Sequence, residues 1–293
     1  MEMRRGIVVE GGGMRGIYAA GVLDVLLEQK IQAHGLIGVS AGAIHGCSFV
    51  SGQRGRSIRY NLKYCRDPRY MSIRSLLKTG DLVGNDFCYH ELPDVLDPFD
   101  HKAFEQSMTE FYAACTDVET GKPVYHRCES LKGEQLQWIR ASASMPLVSR
   151  IVEIDGYKLL DGGVADSIPL AAFQKMGFRK NLVILTRPRG YRKKQSPKAM
   201  RGLLHLAYGR YPDFIRKMED RYLIYNREIE EAERMEAQGE CMILRPSRLI
   251  KISRTEKNPE TIQEMYDLGR RDGEKALKDI LEFWGENEGQ LKD

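Results

Sequence analysis

The sequence predicts an α/β fold with a mainly parallel sheet, on the basis of three consecutive segments. Gly6–Glu10 is rich in β-branched residues, as buried parallel strands are, and Leu36–Val39 is a second short apolar run. Between them, residues 17–30 carry Val and Leu at the spacing of an amphipathic helix. Strand, helix and strand in this order form a βαβ unit with a right-handed crossover. The loops after the two strands are therefore expected side by side at one edge of the sheet, where α/β proteins bind ligands.

The rest of the chain adds strands and helices to this unit. Residues 52–108 are expected to form an irregular, partly helical segment over one face, because Pro93 and Pro98 interrupt them. No internal repeat or linker is visible, which favours a single structural domain. Residues 285–293 are expected to be frayed. The other predicted elements are a helix at 41–50, a hairpin of 110–115 and 122–127, a helix at 134–145, a hairpin of 151–154 and 157–160 turning at Asp155-Gly156, a helix at 169–176, strands at 181–186 and 242–244, and a helix from Asn258 to about Trp284.

The composition is that of an ordinary globular protein, with 42% hydrophobic and 29% charged residues in a chain of 293. A net charge of +4 gives no general reason to expect nucleic acid as a partner. The six cysteines are scattered without a Cys-x-x-Cys pair, which predicts reduced thiols in a cytoplasmic protein. Residues 1–5 run directly into strand-like sequence, and no apolar run approaches the roughly 20 residues of a membrane span. Neither a signal peptide nor a transmembrane helix is therefore predicted.

Ser40 lies in the pattern Gly-x-Ser-x-Gly, between Gly38 and Gly42, where the second strand meets the next helix. A serine at such a corner is held on a tight turn that exposes its hydroxyl at the end of the sheet. The flanking glycines are needed where neighbouring backbone passes too closely for a Cβ atom. The following helix directs its N-terminal dipole at whatever reacts on the serine. Glycine-rich turns with a serine also occur for structural reasons alone, so this pattern makes Ser40 a candidate nucleophile and no more.

The loop after the first strand, Gly11–Gly16, allows two interpretations. Gly-x-Gly-x-x-Gly between a strand and a helix is the dinucleotide fingerprint, but that fingerprint needs an acidic residue at the end of the second strand. Here the second strand ends in Ser40. The N–H groups of Gly12, Gly13 and Met14 suit a more compact anion, such as the oxyanion of a tetrahedral intermediate on Ser40. A tight turn that lets the helix pack on the sheet is compatible with both interpretations.

A serine hydroxyl needs a base before it can act as a nucleophile. In the chain order of an α/β-hydrolase triad only His205 follows Asp161, and its helix-like segment is one where a histidine is more often packed or exposed than catalytic. His45 lies one turn beyond Ser40 on the same helix and is expected to point away from the reacting hydroxyl. Asp161 is the better candidate, because it ends a strand and is followed by two glycines, although Asp-Gly is also a common turn.

Three motifs in this order and spacing resemble the patatin-like phospholipase family. They are Glu10 with Gly11–Gly16, the segment Gly38–Gly42 around Ser40, and Asp161-Gly162-Gly163. The segment 141–146 also resembles the family's sequence before its Asp-Gly loop, and the resemblance covers roughly residues 5–188. It implies a three-layer α/β/α fold with a mainly parallel central sheet.

The same resemblance implies a serine–aspartate dyad rather than a triad. Ser40 would be the acyl-accepting nucleophile and Asp161 the proton acceptor. Gly11–Gly16 would supply the oxyanion hole, with Arg15 supporting that loop. Substrates would be acyl esters of glycerolipids and related lipids, and the chemistry would need no metal or other cofactor. The chain departs from many relatives after Asp-Gly-Gly, where it has Asp166 and Ser167 in place of asparagine, in a loop that shapes the site beside the base.

Residues 1–188 are predicted to form the catalytic core, and residues 189–293 a helical, basic extension packed on the same domain. The window 187–221 holds eleven Lys or Arg against three Asp or Glu, interspersed with tyrosines. Two roles remain open for it. It is either a rim or lid that meets anionic phospholipid headgroups, at about 1 kcal/mol per basic residue, or a solvated face whose charges are matched by the acidic residues of 228–240.

The sequence therefore predicts a cytoplasmic serine acyl hydrolase acting on lipid esters, with a peripheral place at the inner membrane surface as a further expectation. One alternative is a catalytically silent lipid- or acyl-binding protein that keeps the pocket. A nucleotide-binding oxidoreductase is a more distant alternative. Nothing in the sequence predicts acyl chain length, headgroup, position of cleavage or oligomeric state.

Overall fold

The computed structural model describes residues 3–285, so the predicted frayed end lies outside the described residues from position 286 onward. Eight strands form one sheet in the order β5-β6-β3-β2-β1-β7-β8, and β4 pairs with β3 beside this path. Five neighbouring strands are parallel to one another, namely β3, β2, β1, β7 and β8. The strands β4, β5 and β6 run antiparallel to their neighbours. The strands are β1 (Arg4–Val9), β2 (Gly35–Val39), β3 (Glu110–Asp117), β4 (Pro123–Arg127), β5 (Val152–Ile154), β6 (Tyr157–Asp161), β7 (Phe178–Ile184) and β8 (Cys241–Leu244).

Helices cover both faces of the sheet. Residues 52–108 are partly helical, as predicted, and include a π-helical stretch at Phe87–Leu96. None of the helices within residues 3–285 is long and apolar enough to cross a bilayer. The α-helices are α1 (Ile17–Glu28), α2 (Ala41–Val50), α3 (Arg56–Tyr64), α4 (Ile73–Thr79), α5 (His101–Glu105), α6 (Leu136–Ala143), α7 (Leu170–Lys175), α8 (Lys198–Tyr208), α9 (Pro212–Ala237) and α10 (Pro259–Trp284).

Successive side chains of the parallel strands face opposite sides of the sheet and so contribute to two separate hydrophobic layers. Ile7 and Leu36 face one side and pack in a cluster with residues of α1, α2 and α10. Their chain neighbours Val8 and Ile37 face the other side and pack with residues of α7 and α9. All four side chains are fully buried. The predicted three-layer α/β/α fold with a mainly parallel sheet is therefore confirmed.

The crossing of α1 and α10 depends on two glycines. A Cβ atom at Gly21 would lie 2.3 Å from the carbonyl oxygen of Tyr266, and one at Gly269 would lie 2.1 Å from that of Tyr18. The two helix backbones thus touch directly. Tyr18 also donates from its hydroxyl to Asp272 Oδ2 at 3.1 Å. This close packing fixes the last described helix against the crossover helix of the first βαβ unit.

The predicted strands and most of the predicted helices are confirmed, including the helix cap at Asn258, whose side chain accepts from Glu260 N. The long helix α9 is the main element that the sequence analysis does not predict. Half of its 26 residues are charged, and only six are buried. The helical spacing of Tyr225, Ile229 and Ala232 is therefore hidden among polar residues.

Candidate active site

Ser40 stands at a strained corner between β2 and α2. Its backbone adopts φ 55° and ψ −122°, outside the regions that non-glycine residues favour, at a typical cost of about 1–3 kcal/mol. A Cβ atom at Gly38 would lie 2.5 Å from the backbone nitrogen of Ala43, and one at Gly42 would lie 2.4 Å from the carbonyl oxygen of Val9. Both glycines of the Gly-x-Ser-x-Gly pattern are therefore required by close backbone contacts. This geometry is that of a nucleophile elbow.

The strand register brings Ser40 and Asp161 to one junction. β4 occupies one edge of β3, so β2 and β6 must share the opposite edge. Val39 is paired with Ala114, and Asp161 is paired with the next residue, Cys115. β2 and β6 run in opposite directions and meet end to end along this edge. Ser40, directly after Val39, is therefore a neighbour of Asp161.

The end of α6 ties the two strand ends together. Ser142 Oγ accepts from the backbone N–H of Ser40 at 2.9 Å and donates to the carbonyl oxygen of Ala114 at 2.7 Å. The backbone N–H of Asp161 donates to the carbonyl oxygen of Ser144 at 2.8 Å. Sequence analysis noted the segment 141–146 only as a resemblance, whereas the structure gives it a physical role in fixing both loops.

The turn after β6 fixes the Asp161 carboxylate. Asp161 Oδ1 accepts from the backbone N–H of Gly163 at 2.8 Å, and the side chain is buried. A Cβ atom at Gly162 would lie 2.2 Å from the carbonyl oxygen of Ala114, so this turn also needs a glycine. Within residues 3–285 no hydrogen bond joins Asp161 to the Ser40 hydroxyl. Such bonds between a nucleophile and its base are often looser without substrate.

The glycine loop lies against Ser40. A Cβ atom at Gly11 would be 2.9 Å from that of Ser40, and Gly13 has a positive φ of 57°. The N–H of Met14, one of three predicted oxyanion donors, is occupied because it donates to the carbonyl oxygen of Arg254 at 3.1 Å. The N–H groups of Gly12 and Gly13 have no hydrogen-bond acceptor in the described part of the chain. These two donors are therefore the ones that remain available to a ligand beside Ser40.

Two buried charged residues belong to this region, Glu10 directly before the glycine loop and Arg15 within it. Glu10 Oε2 accepts from the Thr186 backbone N–H at 2.6 Å, and Glu10 Oε1 accepts from the Tyr225 hydroxyl at 3.0 Å. Arg15 is only 8% exposed, and its Nε has no hydrogen-bond partner among the residues of the described structure. Burial, with the neighbouring charges of Arg187 and Arg254, lowers the pKa of Arg15 to about 10.

A cavity of about 290 Å³ opens beside Ser40. Gly13 and Met14 line it at the glycine loop, and Arg254 also contributes to the wall. Its remaining surface is mostly apolar, as is typical of pockets for small ligands. The apolar lining comes from α2, from residues 71–99 and from α6, and includes Ile44, Val83, Leu92, Leu136, Ile139 and Met145.

In the described part of the chain, neither of the two histidines considered as bases has a hydrogen bond to Ser40, although His45 lines the same cavity. His205 has a side chain that is 60% exposed, and its Nε2 lies 3.3 Å from Glu219 Oε1. His45 is buried, with Nδ1 3.0 Å from Ser57 Oγ, and burial lowers its pKa to about 4. The structure therefore brings Asp161, and neither of these histidines, to the nucleophile candidate. In residues 3–285 no three His, Cys, Asp or Glu side chains are grouped as metal ligands would be.

Arg221 is a site residue that the sequence analysis missed. It extends from α9, donates from Nε to the carbonyl oxygen of Gly163 at 2.5 Å and lies beside Asp161. Burial lowers the pKa of Arg221, and the charge of Asp161 opposes that shift. No sequence motif marks this arginine among the basic residues of 187–221. Only the packing of α9 on the Asp-Gly-Gly turn reveals it.

Two family profiles match the chain. The profile described as "Patatin-like phospholipase" matches residues 7–173, which include the glycine loop, Ser40 and Asp161. The profile described as "Domain of unknown function (DUF6363)" matches residues 211–285, which include α9, β8 and α10. The second match covers the element that carries Arg221.

Several relatives and one solved structure are similar to the chain. The Escherichia coli protein YjjU is 29% identical over 191 residues, covering 63% of this chain and 52% of that protein. An NTE family protein of Mycobacterium tuberculosis is 26% identical over 168 residues, covering 57% and 45%. Lysophospholipase nte1 of Aspergillus oryzae is 25% identical over 177 residues, covering 59% and 11%. The chain thus spans about half the length of the first two relatives. The structure of VipD from Legionella pneumophila superposes with a TM-score of 0.49 at 10% identity, covering 96% of this chain and 68% of that one.

Proposed function

Because the chain belongs to the patatin-like phospholipase family, we propose that it is a serine acyl hydrolase that cleaves carboxylic esters of lipids. The observation that supports this most is the junction of β2 and β6, at which Ser40 and Asp161 are neighbours beside a glycine loop. Asp161 replaces the histidine of a conventional triad, and neither His45 nor His205 takes part.

Hydrolysis proceeds through an acyl-enzyme. Asp161 accepts the proton of the Ser40 hydroxyl as Ser40 Oγ attacks the ester carbonyl carbon. The tetrahedral oxyanion accepts hydrogen bonds from the N–H groups of Gly12 and Gly13, and one such donor is typically worth about 3–4 kcal/mol. The intermediate collapses as the alcohol leaves with the proton held by Asp161. Water then attacks the acyl-enzyme, Asp161 again acting as base, and the free acid leaves while Ser40 is restored.

Several other residues hold Ser40, Asp161 and the glycine loop in place. Gly38, Gly42, Gly162 and Gly163 permit the two tight turns, and Arg15 supports the glycine loop. The N-terminus of α2 adds its dipole at Ser40. The acyl chain enters the apolar cavity beside Ser40, whose volume of about 290 Å³ is close to the lower end of the usual range for small-molecule pockets. No metal or other cofactor has a role in this mechanism.

The C-terminal extension belongs to the same functional unit. Residues 1–188 form the catalytic core in this proposal, and residues 189–293 form an extension packed on it as one structural domain. The contributions of the extension to the core support this view, since β8 pairs with β7 and Arg221 contacts the Asp161 turn.

We further propose that the protein is cytoplasmic and meets anionic membranes through the window 187–221. Part of that window is neutralised within the molecule, because Arg189 pairs with Glu236 and Arg192 with Glu233. The part of the window that we assign to the membrane contact is the helix α8. It exposes three large apolar side chains together with basic ones, as interfacial helices do. The exposed apolar residues of α8 are Met200, Leu203 and Leu206, and its basic residues are Lys198 and Arg201.

Variants of the dyad test the proposal on a short p-nitrophenyl ester. Ser40→Ala and Asp161→Asn should each lower kcat/KM by about 10³-fold or more, because each removes a reacting group. His205→Asn should stay within about twofold of the parent enzyme, since His205 is a surface residue. Near-normal activity of Asp161→Asn, or loss of activity in His205→Asn, would contradict the dyad. If the parent protein binds acyl esters without hydrolysing any, it is instead a silent acyl-binding protein.

A further inference from the structure

The segment 211–285, which matches the profile of unknown function, contacts both loops beside Ser40. Two of its contacts reach the glycine loop or the residue before it, through a carbonyl oxygen and an uncharged hydroxyl group. The third contact places a cation at the turn that carries the candidate base. The three contacts are those of Arg254 O with Met14 N at 3.1 Å, of the Tyr225 hydroxyl with Glu10 Oε1 at 3.0 Å and of Arg221 Nε with Gly163 O at 2.5 Å.

Gly163 connects Arg221 with the Asp161 carboxylate. Its carbonyl oxygen accepts from Arg221 Nε, and it also accepts from Ser167 Oγ at 3.0 Å. Its backbone N–H donates to Asp161 Oδ1 at 2.8 Å. Hydrogen bonds to charged groups are worth about 1.5–3 kcal/mol each. Both polar backbone groups of this one residue are therefore engaged, and α9 helps to fix the backbone that holds Asp161 Oδ1.

The second glycine of the Asp-Gly-Gly turn leaves room for the guanidinium group. A Cβ atom at Gly163 would lie 3.1 Å from Arg221 Nη2 and 3.0 Å from Asp161 Oδ1. The φ angle of Gly163 is not positive, so the backbone conformation alone does not require a glycine here. The position favours glycine because the cation and the carboxylate both lie against it.

Arg221 acts at the Asp161 turn without occupying the carboxylate. Burial lowers the pKa of Arg221, and the charge of Asp161 opposes this shift more than that of Glu228 or Glu10. Nevertheless, no carboxylate of residues 3–285 forms an ion pair with Arg221, whose Nε donates to a carbonyl oxygen instead. A bidentate arginine fork would take both oxygens of Asp161. Here Oδ2 accepts no hydrogen bond in the described structure, so it remains available to a proton.

One face of α9 reaches both loops. Arg221, Tyr225 and Glu228 are spaced four and three residues apart, so they lie on the same side of the helix. The buried Tyr225 donates to Glu10, directly before the glycine loop. Glu228 Oε2 accepts from the backbone N–H of Ser167 at 3.1 Å. These two contacts fix α9 against the catalytic core, and Arg221 is carried on the same face.

We propose that Arg221 is a positioning residue for Asp161, and that the segment 211–285 thereby completes the active site of the catalytic core. This inference rests on the proposed function. Arg221 holds the Gly163 carbonyl, and the Gly163 N–H holds Asp161 Oδ1. The other carboxylate oxygen, Oδ2, is then left to accept the proton of Ser40. A misplacement of about 1 Å can cost about 10²-fold in rate, so loss of this support slows the step that needs the carboxylate.

The rate at which a fluorophosphonate probe labels Ser40 in the full-length protein tests this role. Arg221→Gln should slow labelling by about tenfold or more, because the amide lacks the charge and the reach of the guanidinium group. Arg221→Lys keeps a charged donor without the planar fork and should label at a rate between those of Arg221→Gln and the parent protein. Arg216→Gln is the matched control on α9. Arg216 is exposed and pairs with Asp213, so this variant should stay within about twofold of the parent rate.

A double-mutant cycle separates positioning of Asp161 from a general contribution to the fold. A residue that acts through the carboxylate has no effect once the carboxylate is gone, so adding Arg221→Gln to Asp161→Asn should change the labelling rate by less than about twofold. A purely structural role would slow labelling equally with and without Asp161→Asn. Denaturant titrations show whether each variant is folded. If Arg221→Gln does not fold, the cycle is run with Arg221→Lys, whose smaller effect should likewise require Asp161.

Two results would overturn the proposal. One is a labelling rate of Arg221→Gln equal to that of the parent protein, and the other is an equal loss of rate with and without Asp161→Asn. If Asp161→Asn is itself slow in either case, the proposed function stands and only the role of Arg221 fails. If Asp161→Asn is labelled as fast as the parent protein, the proposed function fails, and the role of Arg221 fails with it.

Discussion

At the scale of single residues, Ser142 fixes the corner that carries Ser40 to strand β3, beside which Asp161 lies. Its hydroxyl satisfies both the N–H of Ser40 and the carbonyl oxygen of Ala114, and the residue is completely buried. No other side chain in the described structure bonds to either of these backbone groups. The strained backbone of Ser40 is therefore maintained in part by one hydroxyl group.

Ser142→Ala should lower both kcat and stability. The substitution leaves two buried backbone groups without partners, at a cost of about 1–3 kcal/mol, and loosens the corner that holds Ser40. We expect kcat on a p-nitrophenyl ester to fall by about tenfold or more, and denaturant titration should show the loss of stability. Ser144→Ala is the matched control, because the Ser144 hydroxyl bonds only to Arg140 within its own helix. Equal kcat values for the two variants would contradict the role of Ser142.

The residues with recognisable motifs were the ones that could be predicted from sequence. Ser40 and Asp161 follow strands and stand beside glycines, so their positions at the sheet edge follow from local sequence. Arg221 and Ser142 carry no such mark. Their roles come from contacts between residues at least 28 positions apart along the chain, which no local pattern encodes.

At the scale of elements, α8 is one of the helices that the rest of the protein covers least. Of its eleven residues only Leu204 and Tyr208 are buried. The Tyr208 hydroxyl accepts from the backbone N–H of Leu147, and Val148 in turn accepts from Leu82 just after α4. The helix α4 exposes Ile73 and Leu77. The two amphipathic helices are thus anchored to one short segment, 147–150.

Vesicle co-sedimentation tests α8 as a membrane contact. Leu203→Glu with Leu206→Glu removes apolar surface and adds negative charge, so we expect at least a tenfold loss of binding to vesicles rich in anionic phospholipid. Met108→Glu is the control, because Met108 is as exposed as Leu206 but precedes β3, at the amino end of the parallel strands, whereas α8 follows the carboxyl end of β7. Unchanged binding of the α8 variant would show that α8 does not contact the membrane.

Elements differ in how far sequence could define them. The strands β1, β2 and β7 each contain an apolar run that is buried on both faces, which makes them easy to predict; the runs are residues 7–9, 35–39 and 182–184. The helix α9 buries only a narrow stripe and is charged elsewhere, so its pattern is weak. The acidic residues of α9 pair with the basic window, as Glu233 does with Arg192 and Glu236 with Arg189.

At the scale of the whole molecule, the core and the extension share a pair of half-buried carboxyl groups. Glu228 of α9 accepts from the backbone N–H of Ser167 and lies beside Asp166, whose Oδ2 also accepts from the Tyr125 hydroxyl. Burial raises the pKa of Glu228 from 4.5 to about 8. The folded state therefore holds a proton that the unfolded chain releases near pH 4.5. The resulting stability is fully present below that pH and is lost as the pH rises through 8.

Glu228→Gln should remove this pH dependence. The amide cannot ionise, so the variant should be more stable than the parent protein at pH 8.5 by about 1 kcal/mol or more, since one pKa unit corresponds to about 1.4 kcal/mol. Denaturant titrations from pH 5 to pH 9 would measure the difference. Glu231→Gln, on the exposed side of α9, should follow the parent curve. Parallel curves for the parent protein and Glu228→Gln would contradict the assignment.

The central claim is that Asp161 activates Ser40 as a nucleophile. The most direct measurement is covalent labelling by a fluorophosphonate probe, followed by mass spectrometry of the labelled peptide. The account predicts rapid labelling of Ser40 in the parent protein and in His205→Asn, and none at this position in Ser40→Ala. Labelling of Asp161→Asn should be slower by about 10³-fold. Labelling of a different serine, or equal rates for Asp161→Asn and the parent protein, would contradict it.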